Sequence, residues 1–312
     1  MPAIPRRLWL GVPMALGAVA VGFAAQGLVS EPYASSHSEL LEALVDAPAP
    51  AQDTQTEAES LRNVQSQRLG LQEPAAGRPV DLEIRVALLR AGSMPGLSAD
   101  SPWQLLNREG RLLQQGDAGE PVGTAWWDAA SEAWLQAPGG TLSVNGTPYA
   151  GRLRLLREGG GLLVVNHLPL ETYVASVVGA EMPSSWEMEA LRAQAVAARS
   201  YALAHMARPA SRHWHLGDTT RWQAYRGLAS SNSRTRQAVA STAGLILSYQ
   251  GGIVESLYAA NRQITLEAHG HLGASMSQHG AQDLAQQGLR YNDILGRYYQ
   301  GASLARLKSG AS

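Results

Sequence analysis

Two helix-forming runs meet at Glu181-Met182-Pro183, and this junction constrains the chain more than any other feature. Proline disfavours helical geometry at the residue before it and has no amide hydrogen, so the first run must stop at or just before Met182. Upstream, Leu170, Tyr173, Val174, Val177 and Val178 recur at helical spacing on one stripe, and Pro169 suits a first helical turn. Downstream, Ser184 followed by Glu187 resembles a capping box, opening a second helix that runs to about His205. That helix is rich in alanine, which lets a neighbouring backbone approach closely. Glu181 therefore falls at a helix C-terminus, where the negative end of the dipole disfavours a carboxylate and tends to raise its pKa. A carboxyl that keeps its proton near neutrality meets the need of a general acid. The plainer alternative is a solvated glutamate at a helix end.

The flanks of this helical centre differ from it. Leu82–Leu88 alternates as a strand does, and short apolar runs follow at Trp103–Leu106, Arg111–Leu113, Thr141–Val144, Arg152–Leu156 and Leu162–Val165. Gly, Asn, Asp and Pro separate them, so residues 78–165 read as a small β-rich region. Trp103, Trp126, Trp127 and Trp134 lie in it, either as core and rim residues or as platforms on which sugar rings stack. Beyond the second helix, 207–231 is irregular, Ser233–Thr242 reads as a helix ended by Gly244, and Leu245–Tyr249 with Ile253–Ala259 reads as a hairpin around Gln250-Gly251-Gly252. The fold class expected is α+β, a helical core carrying Glu181 packed with the β-rich region.

With 312 residues and 45% hydrophobic content, the chain can bury one sizeable core and a smaller satellite. A net charge of −1 and the absence of a long basic run argue against a nucleic-acid partner. Without cysteine there is neither a disulfide framework nor a thiolate metal site. Arg6 and Arg7 precede an uncharged apolar stretch from Leu8 to Val29, so residues 1–30 read as a secretory signal or as a membrane anchor, and export is expected either way. Residues 31–77, rich in Ala, Pro, Gln, Ser and Glu, read as a flexible linker, with a short helix fitting around Ser38–Val45.

The helical centre resembles the core of the SpoIID/LytB family (stage II sporulation protein D and amidase enhancer), exported proteins that act on peptidoglycan glycan strands. The resemblance is carried by Leu168-Pro169-Leu170-Glu171-Thr172-Tyr173-Val174, by Val178-Gly179-Ala180-Glu181-Met182-Pro183, and by the run from Glu189 to Ala202. Tyr225-Arg226-Gly227 is similar to the family's short Y-x-G element, and Tyr258-Ala259-Ala260-Asn261 to its Y-x-A-N segment. The block from Glu267 through Met276-Ser277-Gln278-His279-Gly280-Ala281 is similar to one that relatives carry several dozen residues later, so the chain reads as shortened after about residue 261, with Leu272 where relatives carry a histidine.

The resemblance implies a lytic transglycosylase with Glu181 as its single catalytic acid/base, cutting a glycosidic bond without a cofactor. The candidate sugar contacts are Gln194, Arg199, Tyr201, Tyr225, Ser277 and Gln278. The resemblance adds a cell-wall amidase as a second partner. A non-catalytic peptidoglycan-binding or amidase-enhancing module is the alternative. Gln194 and Tyr201 are seven apart and so share a helix face; orienting Glu181, binding sugar, or bonding within the helix pair all remain open for them. A hydrolase would need a second carboxylate. Asp218 and Glu255 are the nearest candidates, and neither sits in a motif. His213-x-His215 and His269-x-His271 are pairs at strand spacing that could join His205 and His279 around zinc. Without a cysteine, and with the family histidine displaced, no metal is expected. The SpoIID-like domain is expected to run from 78 through 165 as its β-rich part and from 166 to 300 as its helical and hairpin core.

Overall fold

A computed structural model describes residues 45–46, 70–78, 80–259 and 275–308. The expected signal or anchor and most of the expected linker lie outside the described residues, as does the segment 260–274. Among the described residues no helix is long and apolar enough to cross a membrane.

Alternating apolar residues build the β side. Besides β1 (Val45–Asp46), the strands are β2 (Glu83–Ala87), β3 (Leu97–Ala99), β4 (Trp103–Leu106), β5 (Leu112–Gly116), β6 (Glu132–Gln136), β7 (Leu142–Val144), β8 (Thr147–Tyr149), β9 (Arg152–Glu158) and β10 (Gly161–Pro169). With β11 (Leu216–Gly217) they form a seven-stranded sheet in the order β11-β2-β10-β9-β6-β4-β5 and a three-stranded sheet β3-β7-β8. In β2, Ile84 and Val86 point into the core and Glu83 is exposed, the period-2 pattern of a sheet with one covered face. β10 is buried at all but two of its positions because it is central and leads straight into the helical layer. The two-residue turn Asn145-Gly146 joins β7 to β8 with positive φ at both residues, the backbone twist that suits a tight hairpin.

The helical side follows the stripe and breaker read above. α1 (Leu170–Glu181) begins directly after Pro169, and Met182 is extended as Pro183 requires. Leu170, Tyr173, Val174, Val177 and Val178 are all buried. α2 (Met188–Ala207) is the centre of the molecule: every residue from Ala193 to Ala204 is buried. It is surrounded by α1, α3 (Ser233–Ser241), α4 (Gln278–Gln286), α5 (Tyr291–Tyr298) and β12 (Leu245–Tyr249). So many close neighbours are accommodated because alanine holds them off by only a methyl group.

Two local expectations are corrected. The Ser184–Glu187 capping box does not form, and α2 starts at Met188 without a side-chain cap. The Arg234 guanidinium takes the Ser184 and Trp186 carbonyls, both at 2.7 Å, and holds that stretch as a turn. A capping box appears instead on α3, between Asn232 and Thr235. The hairpin turn at Gln250-Gly251 is present, but β13 (Gly252–Ile253) is only two residues long. Ser256 then donates to the Ala197 carbonyl at 2.7 Å, drawing the chain across α2. β14 (Leu257–Ala259) consequently pairs in parallel with β15 (Ser275–Ser277) rather than returning along β12. The last strand, β16 (Ser303–Leu307), lies inside a four-stranded sheet ordered β1-β16-β12-β13.

Within the stretch read as a linker, the described residues are held to this body. Val45–Asp46 pairs with β16, the Leu71 amide donates to the Asn292 carbonyl at 3.1 Å, and the Ala75 carbonyl accepts from Arg306 at 2.9 Å.

Candidate active site

Glu181 is the last residue of α1, where Pro183 ends the helix. Its carboxyl is half-buried and receives two donors from distant parts of the chain. The Ala224 amide donates to Oε1 at 2.8 Å, and the Gln278 side-chain amide to Oε2 at 3.4 Å. Burial raises the Glu181 pKa above the ordinary carboxylate value; the two hydrogen bonds and the Arg226 charge pull it down, and burial wins. Burial thus acts in the same direction as the helix dipole invoked from sequence. A buried carboxyl near two donors is favoured neutral yet has partners ready when it ionises, which suits a group that must give up a proton and take one back.

Four pieces of structure meet here. Tyr173 comes from α1, Tyr201 from α2, Tyr258 from β14, and Gln223 and Ala224 from the irregular stretch after α2. Tyr173 and Tyr258 both bond to Gln223, the residue before the Ala224 donor. Burial first, and the Glu181 charge with it, push the hydroxyls of Tyr173, Tyr201 and Tyr258 upward in pKa. The strands on either side of the expected shortening are direct neighbours, with Tyr258 paired to Met276 and Ala259 to Ser277. That pairing delivers Gln278, the first residue of α4, to the Glu181 carboxyl. His271 and Leu272 lie outside the described residues.

The sequence candidates divide on this geometry. Gln278 touches Glu181. Tyr201 is 7% exposed, with its ring 4.5 Å from that of His205. Ser277 accepts from the Gly280 amide at 3.1 Å and so caps α4. Tyr225 is buried, donating to Asn166 Oδ1 at 2.6 Å. Arg199 is wholly buried: it grips Glu171 with two bonds of 2.8 and 2.7 Å and donates to the Leu245 carbonyl at 3.0 Å. All of its described bonds go to the protein's own groups. Gln194 is also fully buried, and neither polar atom of its amide has a partner among the described residues.

Asp218 and Glu255 are each committed elsewhere. Asp218 is buried and accepts the Leu89 amide at 3.0 Å and the Arg90 guanidinium at 3.3 Å. Glu255 pairs with Arg208 at 2.9 Å. Of the histidines, His213 accepts from Arg212 at 2.8 Å, and His215 Nε2 accepts from Arg85 at 2.9 Å. Among the described residues no group of three or more His, Cys, Asp or Glu is placed to hold a metal ion. His269 and His271 lie outside them.

Of the tryptophans, Trp103 and Trp126 are core residues, and Arg152 and Arg157 lie over the rings of Trp134 and Trp127. A concavity of about 410 Å³ opens on the β side, bordered by Glu83, Arg152, His167 and Pro169. It lies at the start of α1, about 18 Å along the helix from Glu181 at ~1.5 Å per residue. The site is marked by convergent donors, not by that cleft. Sequence reasoning missed Gln223 and the Ala224 amide. The neighbouring Tyr225-Arg226-Gly227 element was legible, but a backbone N–H carries no side-chain signature.

Residues 158–249 match the family described as SpoIID, stage II sporulation protein. This segment is similar to the SpoIID/LytB family. It is 37% identical over 99 residues to the amidase enhancer of Bacillus subtilis (strain 168), covering 32% of this chain and 13% of that protein. It is 35% identical over 109 residues to stage II sporulation protein D of the same organism, covering 30% of this chain and 32% of that one. An uncharacterized protein of Brachyspira hyodysenteriae is 38% identical over 119 residues, covering 38% and 32%. The chain thus spans about a third or less of the curated relatives it matches. The family segment contains α1, α2, α3, β12 and the Glu181–Ala224 contact, so the SpoIID/LytB match falls on the site itself.

Proposed function

We propose that this chain, with its SpoIID-like segment, acts on peptidoglycan glycan strands in the cell envelope as a lytic transglycosylase, with Glu181 as its acid/base. The observation that carries the reading is the half-buried Glu181 carboxyl, favoured in its neutral form by burial and oriented by the Ala224 amide. In the first half of the reaction Glu181 gives its proton to the bridging glycosidic oxygen, and the C1–O bond breaks. In the second half the 6-hydroxyl of the same muramic residue bonds to C1 and passes its proton to the Glu181 carboxylate. The product is a 1,6-anhydro sugar, no water is consumed, and the acid is regenerated. One carboxyl suffices, consistent with Asp218 and Glu255 being held by arginines.

Digestion of purified, peptide-stripped glycan strands followed by mass spectrometry tests this. Wild type is expected to yield anhydro-muramyl ends, and Glu181→Gln to lose at least about 10²-fold in rate, the lower range for a general acid. Unchanged cleavage by Glu181→Gln would refute the assignment. A second reading, a non-catalytic glycan-binding module that enhances an amidase, is favoured by the similarity to the Bacillus subtilis amidase enhancer. It predicts intact strands that co-sediment with the protein.

A further inference from the structure

We propose that Gln223 is a positioning residue for Glu181: it locks the 223–225 backbone so that the Ala224 amide stays aimed at the carboxyl. The proposal rests on reading Glu181 as the acid/base.

Gln223 is fully buried, and its side chain bonds to three different elements. Its Oε1 accepts from the Tyr173 hydroxyl of α1 at 3.0 Å. Its Nε2 donates to the Ala198 carbonyl of α2 at 3.1 Å and to the Tyr258 hydroxyl of β14 at 2.7 Å. Both amide hydrogens and the carbonyl are thus used. These elements are the ones that bracket Glu181, and the next residue supplies the 2.8 Å donor to it.

The stretch needs such a lock because Thr219–Arg226 contains no helix or strand to set its backbone. The far side is pinned in the same way. Tyr225 donates its hydroxyl to Asn166 at 2.6 Å and offers its carbonyl to Arg90 at 2.5 Å, while Asp218 holds Arg90 at 3.3 Å. Ala224 therefore sits between two side-chain anchors. Gln223 is the anchor that reaches the acid's own helix.

The test reads the acid directly. In full-length protein labelled with ¹³C-glutamate, the Glu181 side-chain resonance, assigned by its loss in Glu181→Gln, is followed through a pH titration. The titratable and charged groups acting on Glu181 among the described residues are Tyr173 of α1, Tyr201 of α2, Tyr258 of β14 and Arg226. The tyrosines are neutral across the range titrated. Gln223→Met keeps the side-chain length and removes all three bonds. The midpoint is expected to move upward, because the carboxylate loses its aligned donor, and kcat on glycan strands to fall about tenfold with KM little changed.

Thr242→Val, which removes a buried hydroxyl bond to Ala238 at the C-terminal end of α3, should leave the midpoint in place. If Gln223→Met does not fold, Tyr173→Phe, which frees one end of the Gln223 amide, should move the midpoint the same way by less. A midpoint unmoved in the folded variant, or moved equally by Thr242→Val, would overturn the positioning role. Because the titration needs no substrate, it stands even if glycan cleavage by the wild type is not observed.

Discussion

At the scale of one residue, burial holds Glu181 in a state that costs stability. Its pKa is raised in the folded protein, so between the ordinary value of 4.5 and the folded value the native state binds more protons than the unfolded chain. Stability must then fall as pH rises through that window and level off above it. Glu181→Gln has no such term while keeping an oxygen for the Ala224 amide. Urea unfolding should find it more stable than wild type at neutral pH, with the advantage absent below about pH 4. A variant less stable at pH 7 would mean that the carboxylate is the favoured form. Arg199 makes a contrasting point. Both residues fall in the family-like run, but only a buried position shows that the arginine is occupied by Glu171 and backbone carbonyls.

At the scale of elements, Gly179 sets how closely α1 meets the turn at Gly227–Ser230. A methyl group on its Cα would sit 2.0 Å from the Ser230 carbonyl oxygen, a backbone atom with no room to yield. Replacing a helical glycine with alanine ordinarily gains about 1 kcal/mol of propensity. Overpacking a tight contact costs about 1–3 kcal/mol, and Ser230 is further tied to Ser176 at 2.9 Å. Gly179→Ala should therefore lower stability by about 1–2 kcal/mol, seen as a lower urea midpoint with unchanged slope. A rise in the midpoint would show that α1 and this turn are not in backbone contact. The same scale explains which elements were readable. α1 and α3 were legible because a proline break, an apolar stripe and a glycine stop act within a few residues. The Ser184 capping box was misread because Arg234, fifty residues on, claims the carbonyls of that turn.

For the molecule as a whole, the Arg199–Glu171 pair joins α1 to α2 and, through Leu245, to β12. Arg199 is fully buried and Glu171 a third exposed. Glu171→Ala leaves the guanidinium buried without its counter-charge and should cost about 3 kcal/mol, the lower end for a broken buried pair because solvent reaches the carboxylate side. Adding Arg199→Met should recover most of that loss, since an apolar side chain of similar length fills the space without a charge. Chemical denaturation of the two variants decides it: a double variant no better than Glu171→Ala would locate the cost in packing instead. β14 and β15 show a second effect at this scale. Neither reads as a partner of the other in sequence, yet their parallel pairing is what brings Gln278 to Glu181.

The amino-acid sequence by itself determined where helices break, which short runs form strands, and that one glutamate ends a helix beside a proline. Those outcomes depend on sterics and periodicity that act between near neighbours along the chain. Tertiary structure alone decided what that glutamate is. Its donors come from residues 43 and 97 positions away, and the burial that raises its pKa depends on every segment folded over it. Desolvation belongs to the assembled surroundings of a group, and no pattern of adjacent residues encodes it.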